Sequence, residues 1–237
     1  MESSRALIER RGARFAVAAA IALTMGCAGR RLAHPDSAAA LEPRATASTD
    51  AVEAVLAAAR ATVGGGNPGV DGEALPTDCS GYLHALFKRA GVDLLSEARP
   101  GDNGVRAIVR WMQRHGRLFR AQVAAPGDLV FFDNSYDRNG DRRLNDPYTH
   151  AGLVEQALPD GTLVIVHATN HGIVREPMNL FRPREATDPA GRAINAPLRR
   201  KRASDGPQTP HLMSELFAGF GSVFHRESVA RATSPEP

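Results

Sequence analysis

A single cysteine at the junction of a predicted loop and a predicted helix is the strongest candidate for a reactive residue in this sequence. Cys79 follows a loop rich in glycine and proline (64–76) and precedes apolar residues at helical spacing that end at Gly91. Thr77 or Asp78 can cap the helix, which places Cys79 in its first turn. Unpaired backbone N–H groups and the helix dipole favour a thiolate there, so Cys79 is a candidate nucleophile. The alternative is a small buried cysteine that only packs.

Two histidines at predicted strand ends are candidates for the base and the orienting group that such a nucleophile needs. His150 begins one predicted strand, and His167 ends the strand that follows it. If these strands pair through the turn at 159–161, the two side chains lie nearly opposite each other and can form a hydrogen bond. Histidines at strand ends are often only surface residues, but a facing pair beside one free cysteine favours a catalytic arrangement.

The first 27 residues predict an export signal. Four arginines precede a short apolar run (15–25), which is too short to span a bilayer and is followed by Gly26 and Cys27. We therefore interpret residues 1–27 as a lipoprotein-type signal peptide with Cys27 as the lipidation site; cleavage without lipidation and an N-terminal anchor are the alternatives. A lipid there would anchor the exported protein to a membrane of the bacterial cell envelope, facing the periplasm or the exterior. Since the sequence has two cysteines, lipidation of Cys27 would also leave Cys79 without a disulfide partner.

The length and charge of the chain favour a small domain and argue against a nucleic-acid-binding protein. The 237 residues suffice for one domain with a core and flanking tails. The formal net charge is only +3, and the basic residues concentrate near the two ends, so the sequence predicts no groove for nucleic acid. We expect a monomer.

The hydrophobic pattern predicts helices first and an antiparallel β meander afterwards, which is an α+β fold. Three helices are expected: one capped within 48–50 and ending at a triple glycine, the helix of Cys79, and one capped at 102–103 and ended by Gly116. The predicted strands are the apolar runs 129–132, 151–155, 162–167 and 172–176.

Composition divides the chain into segments. Residues 28–47 are rich in Ala, Arg, Pro and Ser and are expected to form a flexible tether. The folded domain is assigned to 48–182, and 183–237 is assigned to a basic, largely irregular C-terminal tail. Within this region, 212–220 is either a short helix that docks on the domain or part of a disordered tail.

Four segments, taken in order, carry a resemblance to a known family. They are Asp78-Cys79-Ser80-Gly81, Pro126 to Phe132 (PGDLVFF), Thr149 to Val154 (THAGLV) and Val166-His167-Ala168. This arrangement resembles the NlpC-type, papain-like cell-wall peptidases over about residues 50–180. The resemblance implies a papain-like NlpC-type core in which the N-terminal helices pack on the antiparallel β meander.

The resemblance also implies a reaction and the residues that perform it. Cys79 would be the nucleophile, His150 the general base and acid, and His167 the orienting residue of an endopeptidase that cleaves peptidoglycan stem peptides through a thioester. The family typically cleaves between D-glutamate and diaminopimelate, and no cofactor is required. By position, Asp78 and Ser80 would bind the free amine of the first alanine of the stem peptide.

Two other interpretations of the function stay open. The CHAP-type enzymes share a Cys–His papain-like core and would act as N-acetylmuramoyl-L-alanine amidases, although they usually carry a Glu or Asn as the third residue. The other interpretation is an envelope-binding module that keeps the fold without catalysis. The presence of Cys79, His150 and His167 argues against the binding module, but the segment 62–65 (TVGG) keeps it open, because it lacks the aromatic residue that the family usually has there.

An acidic loop before His150 is a candidate metal site. Asp137, Asn139 and Asp141 place oxygen ligands at alternate positions, as in the first half of a calcium-binding loop. Three arginines dilute the negative charge of this loop, and Tyr148 occupies the position of the bidentate glutamate. A structural calcium ion and a solvated, Asx-rich loop are therefore the two alternatives.

Overall fold

Three helices and one six-stranded sheet make up the regular structure of the computed structural model, which describes residues 42–64, 76 and 78–224. The helices are α1 (Glu42–Thr62), α2 (Cys79–Arg89) and α3 (Gly104–His115). The strands are β1 (Arg117–Phe119), β2 (Leu129–Phe132), β3 (His150–Ala157), β4 (Thr162–Thr169), β5 (Gly172–Asn179) and β6 (Phe217–Ser222). Neighbouring strands are antiparallel in the order β1-β6-β2-β3-β4-β5, so the predicted α+β fold is confirmed. None of the described helices is long and apolar enough to cross a membrane.

Side-chain caps define the starts of the two helices nearest the candidate site, as the sequence predicts. The Asp78 carboxylate accepts two backbone N–H bonds in the first turn of α2, and the Asn103 side chain accepts one from Arg106 in α3. Each bond satisfies a backbone N–H that the helix itself leaves unpaired. Cys79 therefore stands at a defined position as the first residue of α2.

Helix α1 begins earlier than the sequence predicts. It starts at Glu42 rather than after a cap within 48–50, so residues 42–47 are helical and do not belong to a tether. Pro43 is accommodated because a proline in the first turn interrupts no hydrogen bond within the helix, and the alanines that follow favour helix formation. The predicted signal peptide and Cys27 lie outside the described residues.

The sheet buries apolar side chains on both of its faces. On the helix face, α1, α2 and α3 cover alternate residues of the inner strands, among them Leu153 and Val166. On the opposite face, the adjacent residues Val154 and Ile165 pack with Phe220 and with apolar residues that precede β6. Because side chains alternate along a strand, the two covered faces explain why β2 is buried at all four of its positions.

Residues 183–224 are not a tail, which corrects the predicted domain boundary at Arg182 for the part of the chain that the structure describes. β6 lies inside the sheet and pairs with β1 on one side and β2 on the other. The segment 183–216 is irregular, but it packs on the opposite face of the sheet. There the Met213 N–H donates to Ala196, and the Ala196 N–H donates to Pro177 at the edge of β5. The domain therefore includes β6.

Glycines make β6 difficult to recognise in the sequence. Gly219 and Gly221 lower the strand propensity of this segment. A Cβ at Gly221 would lie 2.7 Å from the methyl carbon of Met112 and 3.0 Å from the ring of Phe131. The glycine therefore lets α3 and β2 approach β6 closely, which is a tertiary requirement that local propensity does not report. The prediction of a docking helix or a disordered tail is wrong for residues 217–220.

Phe220→Ala tests whether β6 is an integral strand. Phe220 is fully buried and contacts the rings of Phe119 and Phe217, so its removal leaves a cavity and should lower the free energy of unfolding by about 3–5 kcal/mol. Phe181→Ala is the matched control, because Phe181 is 51% exposed and its loss should destabilise the protein much less. Urea denaturation measures both values, and equal effects of the two substitutions would contradict the placement of β6.

Candidate active site

A cleft of about 480 Å³ opens at the end of the sheet where β3 begins and β4 ends. It is lined by the first turns of α2 and α3, by the loop between β2 and β3, and by Leu198 from the segment 183–216. The lining includes four of the residues singled out in the sequence, namely Asp78, Cys79, Ser80 and His150. The structure therefore brings the candidate nucleophile and the candidate base into one cleft, the first from the helix layer and the second from the sheet.

The thiol of Cys79 lies against the backbone of β3. The N–H of Ala151, the residue after His150, hydrogen-bonds the sulfur, and N–H groups of the first turn of α2 act in the same sense. Burial is the strongest influence and raises the pKa of the Cys79 thiol; the Asp78 carboxylate adds to this, and the N–H groups oppose it. The expected thiolate is therefore not favoured in the free protein, because desolvation outweighs the effect of the helix N-terminus.

His150 and His167 form the predicted hydrogen bond, with 2.8 Å between His150 Nε2 and His167 Nδ1. Their strands do not place them directly opposite each other, however. Leu153 pairs with Val166, so His167 faces Gly152, and His150 lies two residues further along the same face in a diagonal position. The absence of a side chain at Gly152 leaves room for the two rings to meet, since a Cβ there would already lie 3.3 Å from His167 Cβ.

A carboxylate on β5 extends this pair. Glu176 Oε2 lies 3.0 Å from His167 Nε2, so His150, His167 and Glu176 form one chain of hydrogen bonds across three strands. In the sequence, Glu176 is only the last residue of a predicted strand and carries no predicted function. The register of β4 and β5 is the signal that identifies it. Thr169 pairs with Gly172 around a tight turn, and counting from that turn places Glu176 diagonally across from His167.

Burial, and to a smaller extent the electrostatic effect of the neighbouring His167, lowers the pKa of His150 to about 3. At neutral pH the His150 imidazole is therefore neutral and can accept a proton, and the thiol of Cys79 is neutral as well. This arrangement fits a general base that removes the thiol proton as the nucleophile reacts, rather than a preformed pair of thiolate and imidazolium.

Asp78 and Ser80 stand at the edge of the cleft and are bonded to each other. Asp78 Oδ1 accepts the Ser80 hydroxyl (2.5 Å), the Ser80 N–H (3.1 Å) and the Gly81 N–H (2.9 Å). Although burial acts in the other direction, these bonds lower the pKa of Asp78, which is therefore a carboxylate at neutral pH. Gly104 has to lack a side chain here, because a Cβ would overlap the Ser80 hydroxyl. Asp78 Oδ2 takes no part in the capping bonds.

The candidate calcium ligands lie in the loop between β2 and β3 and bond to that loop itself. Asp137 accepts two backbone N–H bonds (2.8 and 3.0 Å), and Asn139 and Asp141 accept one each (2.9 and 2.8 Å). The Arg202 guanidinium also pairs with Asp137. In the described part of the chain, no group of three or more His, Cys, Asp or Glu side chains could hold a metal ion. These contacts favour the Asx-rich loop, and calcium binding stays a prediction.

The middle of the chain matches the model of a known protein family. The model of the NlpC/P60 family matches residues 62–180, which make up about half of the chain and contain Cys79 and all three residues of the hydrogen-bonded chain. No curated protein matches the chain. The segment 183–216 and β6 lie beyond the matched residues, although β6 belongs to the same sheet and residues of 183–216 belong to the same core.

The lowered pKa of His150 predicts an effect of pH on stability. Unfolding returns this side chain to its ordinary pKa of 6.5, so between pH 6.5 and about 3 the unfolded state binds a proton that the folded state does not. His150 therefore destabilises the folded protein progressively as the pH falls through this range. In His150→Asn, the midpoint of thermal unfolding should fall less steeply from pH 6.5 to about pH 4 than in the wild type. Parallel curves for the two proteins would contradict this prediction.

Proposed function

This chain belongs to the NlpC/P60 family, and from that membership we propose that it is a cysteine endopeptidase that cleaves peptidoglycan stem peptides between D-glutamate and diaminopimelate. Members of the family are generally cell-wall peptidases of the cysteine type that act on peptidoglycan. The observation that carries the proposal is the shared cleft, in which Cys79 lies beside His150 while His150 is hydrogen-bonded to His167.

The proposed reaction begins with acylation of Cys79. His150 removes the thiol proton as the sulfur attacks the carbonyl carbon of the scissile amide, and negative charge develops on the former carbonyl oxygen. The backbone N–H of Cys79, at the start of α2, is the candidate donor to that oxygen. His150 then transfers its proton to the leaving amine as the C–N bond breaks, which leaves the acyl group on the sulfur as a thioester.

Water completes the reaction at the same residues. His150, now neutral, removes a proton from a water molecule that attacks the thioester carbonyl, and the C–S bond breaks to release the free acid and the thiol. His167 accepts the Nε2–H of His150 throughout, which stabilises the imidazolium that forms in each step. Neither step calls for a cofactor.

Asp78 is the residue proposed to recognise the free amine of the first alanine of the stem peptide. It carries the one carboxylate among the described residues that line the cleft, and its Oδ2 lies outside the capping bonds. An ammonium group placed there would form a charge-assisted hydrogen bond. Ser80 would contribute indirectly, because its hydroxyl holds the other carboxylate oxygen and so orients Asp78.

Cys79→Ala tests the proposed reaction. The substitution should lower hydrolysis of purified peptidoglycan by at least about 10⁴-fold, because the thioester cannot form. Cys27→Ala, which removes the other cysteine, is the matched control and should retain activity on soluble muropeptides. Mass spectrometry of the digest reports both the activity and the bond that is cleaved.

Three results would contradict this proposal. Undiminished hydrolysis by Cys79→Ala would exclude the nucleophile. Products cut between muramic acid and L-alanine would support the amidase alternative. An inactive wild-type protein that still sediments with peptidoglycan would support the envelope-binding module.

A lipid on Cys27 is the proposed membrane anchor, and it would hold a monomeric domain at a membrane of the cell envelope, facing the periplasm or the exterior. In Cys27→Ser the protein should lose incorporation of labelled palmitate and move from the membrane fraction to the soluble fraction, because the thiol that accepts the lipid is absent. Cys79→Ser controls for the loss of a cysteine and should stay in the membrane fraction. Equal labelling of the two variants would contradict the anchor.

A further inference from the structure

We propose that Glu176 is a positioning residue that fixes the proton of His167 and, through His167, leaves Nδ1 of His150 free to accept the thiol proton of Cys79. This inference rests on the proposed function of the site. It adds a fourth side chain to the three that the sequence identifies.

Two equivalent diagonal contacts connect the side chains. His150 bonds to His167 across β3 and β4 (2.8 Å), and His167 bonds to Glu176 across β4 and β5 (3.0 Å). The direct neighbour of Glu176 on β4 is Ile165, and that of His167 on β5 is Val174, so Glu176 stands two residues from the position opposite His167. All three side chains therefore share one face of the sheet, and both ring nitrogens of His167 are engaged.

One arrangement of protons satisfies both contacts while both rings stay neutral. The Glu176 carboxylate can only accept, so His167 carries its proton on Nε2 and its Nδ1 is an acceptor. His150 then has to donate from Nε2, which leaves a lone pair on its Nδ1. A neutral His150 with its proton on Nδ1 could not take the thiol proton from that side.

Glu176 acts away from the substrate. Neither Glu176 nor His167 lines the cleft, and His167 is only 1% exposed. The loss of the carboxylate should therefore change how much of His150 is correctly protonated and how well its imidazolium is stabilised. Both effects lower kcat, whereas KM should stay unchanged because no contact with the substrate is lost.

Glu176→Gln tests this role, because glutamine keeps the size of the side chain but can donate as well as accept. Nitrogen NMR of the free, histidine-labelled protein should show the His150 proton on Nε2 in the wild type and distributed over both nitrogens in the variant. On a stem-peptide substrate, kcat should fall about 10- to 100-fold. An orienting group that is bonded directly to the base has a larger effect, about 10⁴-fold. The effect of Glu176 should be smaller because the ring of His167 lies between Glu176 and His150.

A double-mutant cycle separates positioning from a purely structural effect. In a His167→Ala background, the addition of Glu176→Gln should change neither kcat nor the protonation of His150, because the connecting ring is absent. Glu185→Gln, whose side chain is 51% exposed, is the matched control and should behave as the wild type.

The proposal is overturned if Glu176→Gln leaves the protonation of His150 unaltered, or if it lowers kcat equally with and without His167. Wild-type spectra with the His150 proton on Nδ1 would overturn it as well. The NMR measurement needs no substrate. An inactive wild-type protein that shows the expected spectra would therefore contradict the proposed function and still support the role of Glu176 in setting the protons.

Discussion

One extra residue in β3 allows the contact between His150 and His167. The register of β3 against β4 shifts by one residue at Glu155. Without this bulge the two histidines would point to opposite faces of the sheet, because a shift of one residue reverses every side chain of a strand. With the bulge they share a face and approach diagonally over Gly152. The hydrogen bond of 2.8 Å, and each proton transfer proposed for the site, therefore depends on a register that is set several residues away.

Ion pairs hold the bulge in place. The Glu155 carboxylate is buried and pairs with Arg175 on β5 and with Arg60 on α1. The hydrogen bonds from Arg175 are the main reason why the pKa of Glu155 is lowered, so this residue is charged in the folded protein. A buried charge is strongly destabilising when its partners are lost. The pairing of Glu155 therefore connects the bulge to β5, on the far side of β4, and to the helix layer, and it disfavours the alternative register.

Local features of the site could be predicted from the sequence, whereas features that depend on distant residues could not. The caps Asp78 and Asn103 are visible because capping involves only the next few residues. The count through the hairpin turn brings the two histidines close together but misses the bulge at Glu155, whose partners are arginines on other elements and without which the histidines would not share a face. β6 is hidden because Gly221 serves the packing of α3 and β2. Glu176 has the appearance of an ordinary polar residue in an edge strand until the register of β4 and β5 is known.

Burial keeps the thiol of Cys79 protonated, whereas its position at the start of a helix alone would favour the thiolate. The helix N-terminus favours a thiolate at Cys79, but desolvation raises the pKa of the thiol and lowers that of His150. Both groups are therefore neutral at neutral pH in the free protein. In the proposed reaction, the thiol loses its proton only as the sulfur attacks the substrate carbonyl. The thiolate is also the form of cysteine that oxidises. In the oxidising envelope proposed for this chain, the burial that keeps Cys79 in the thiol form would therefore also slow its oxidation.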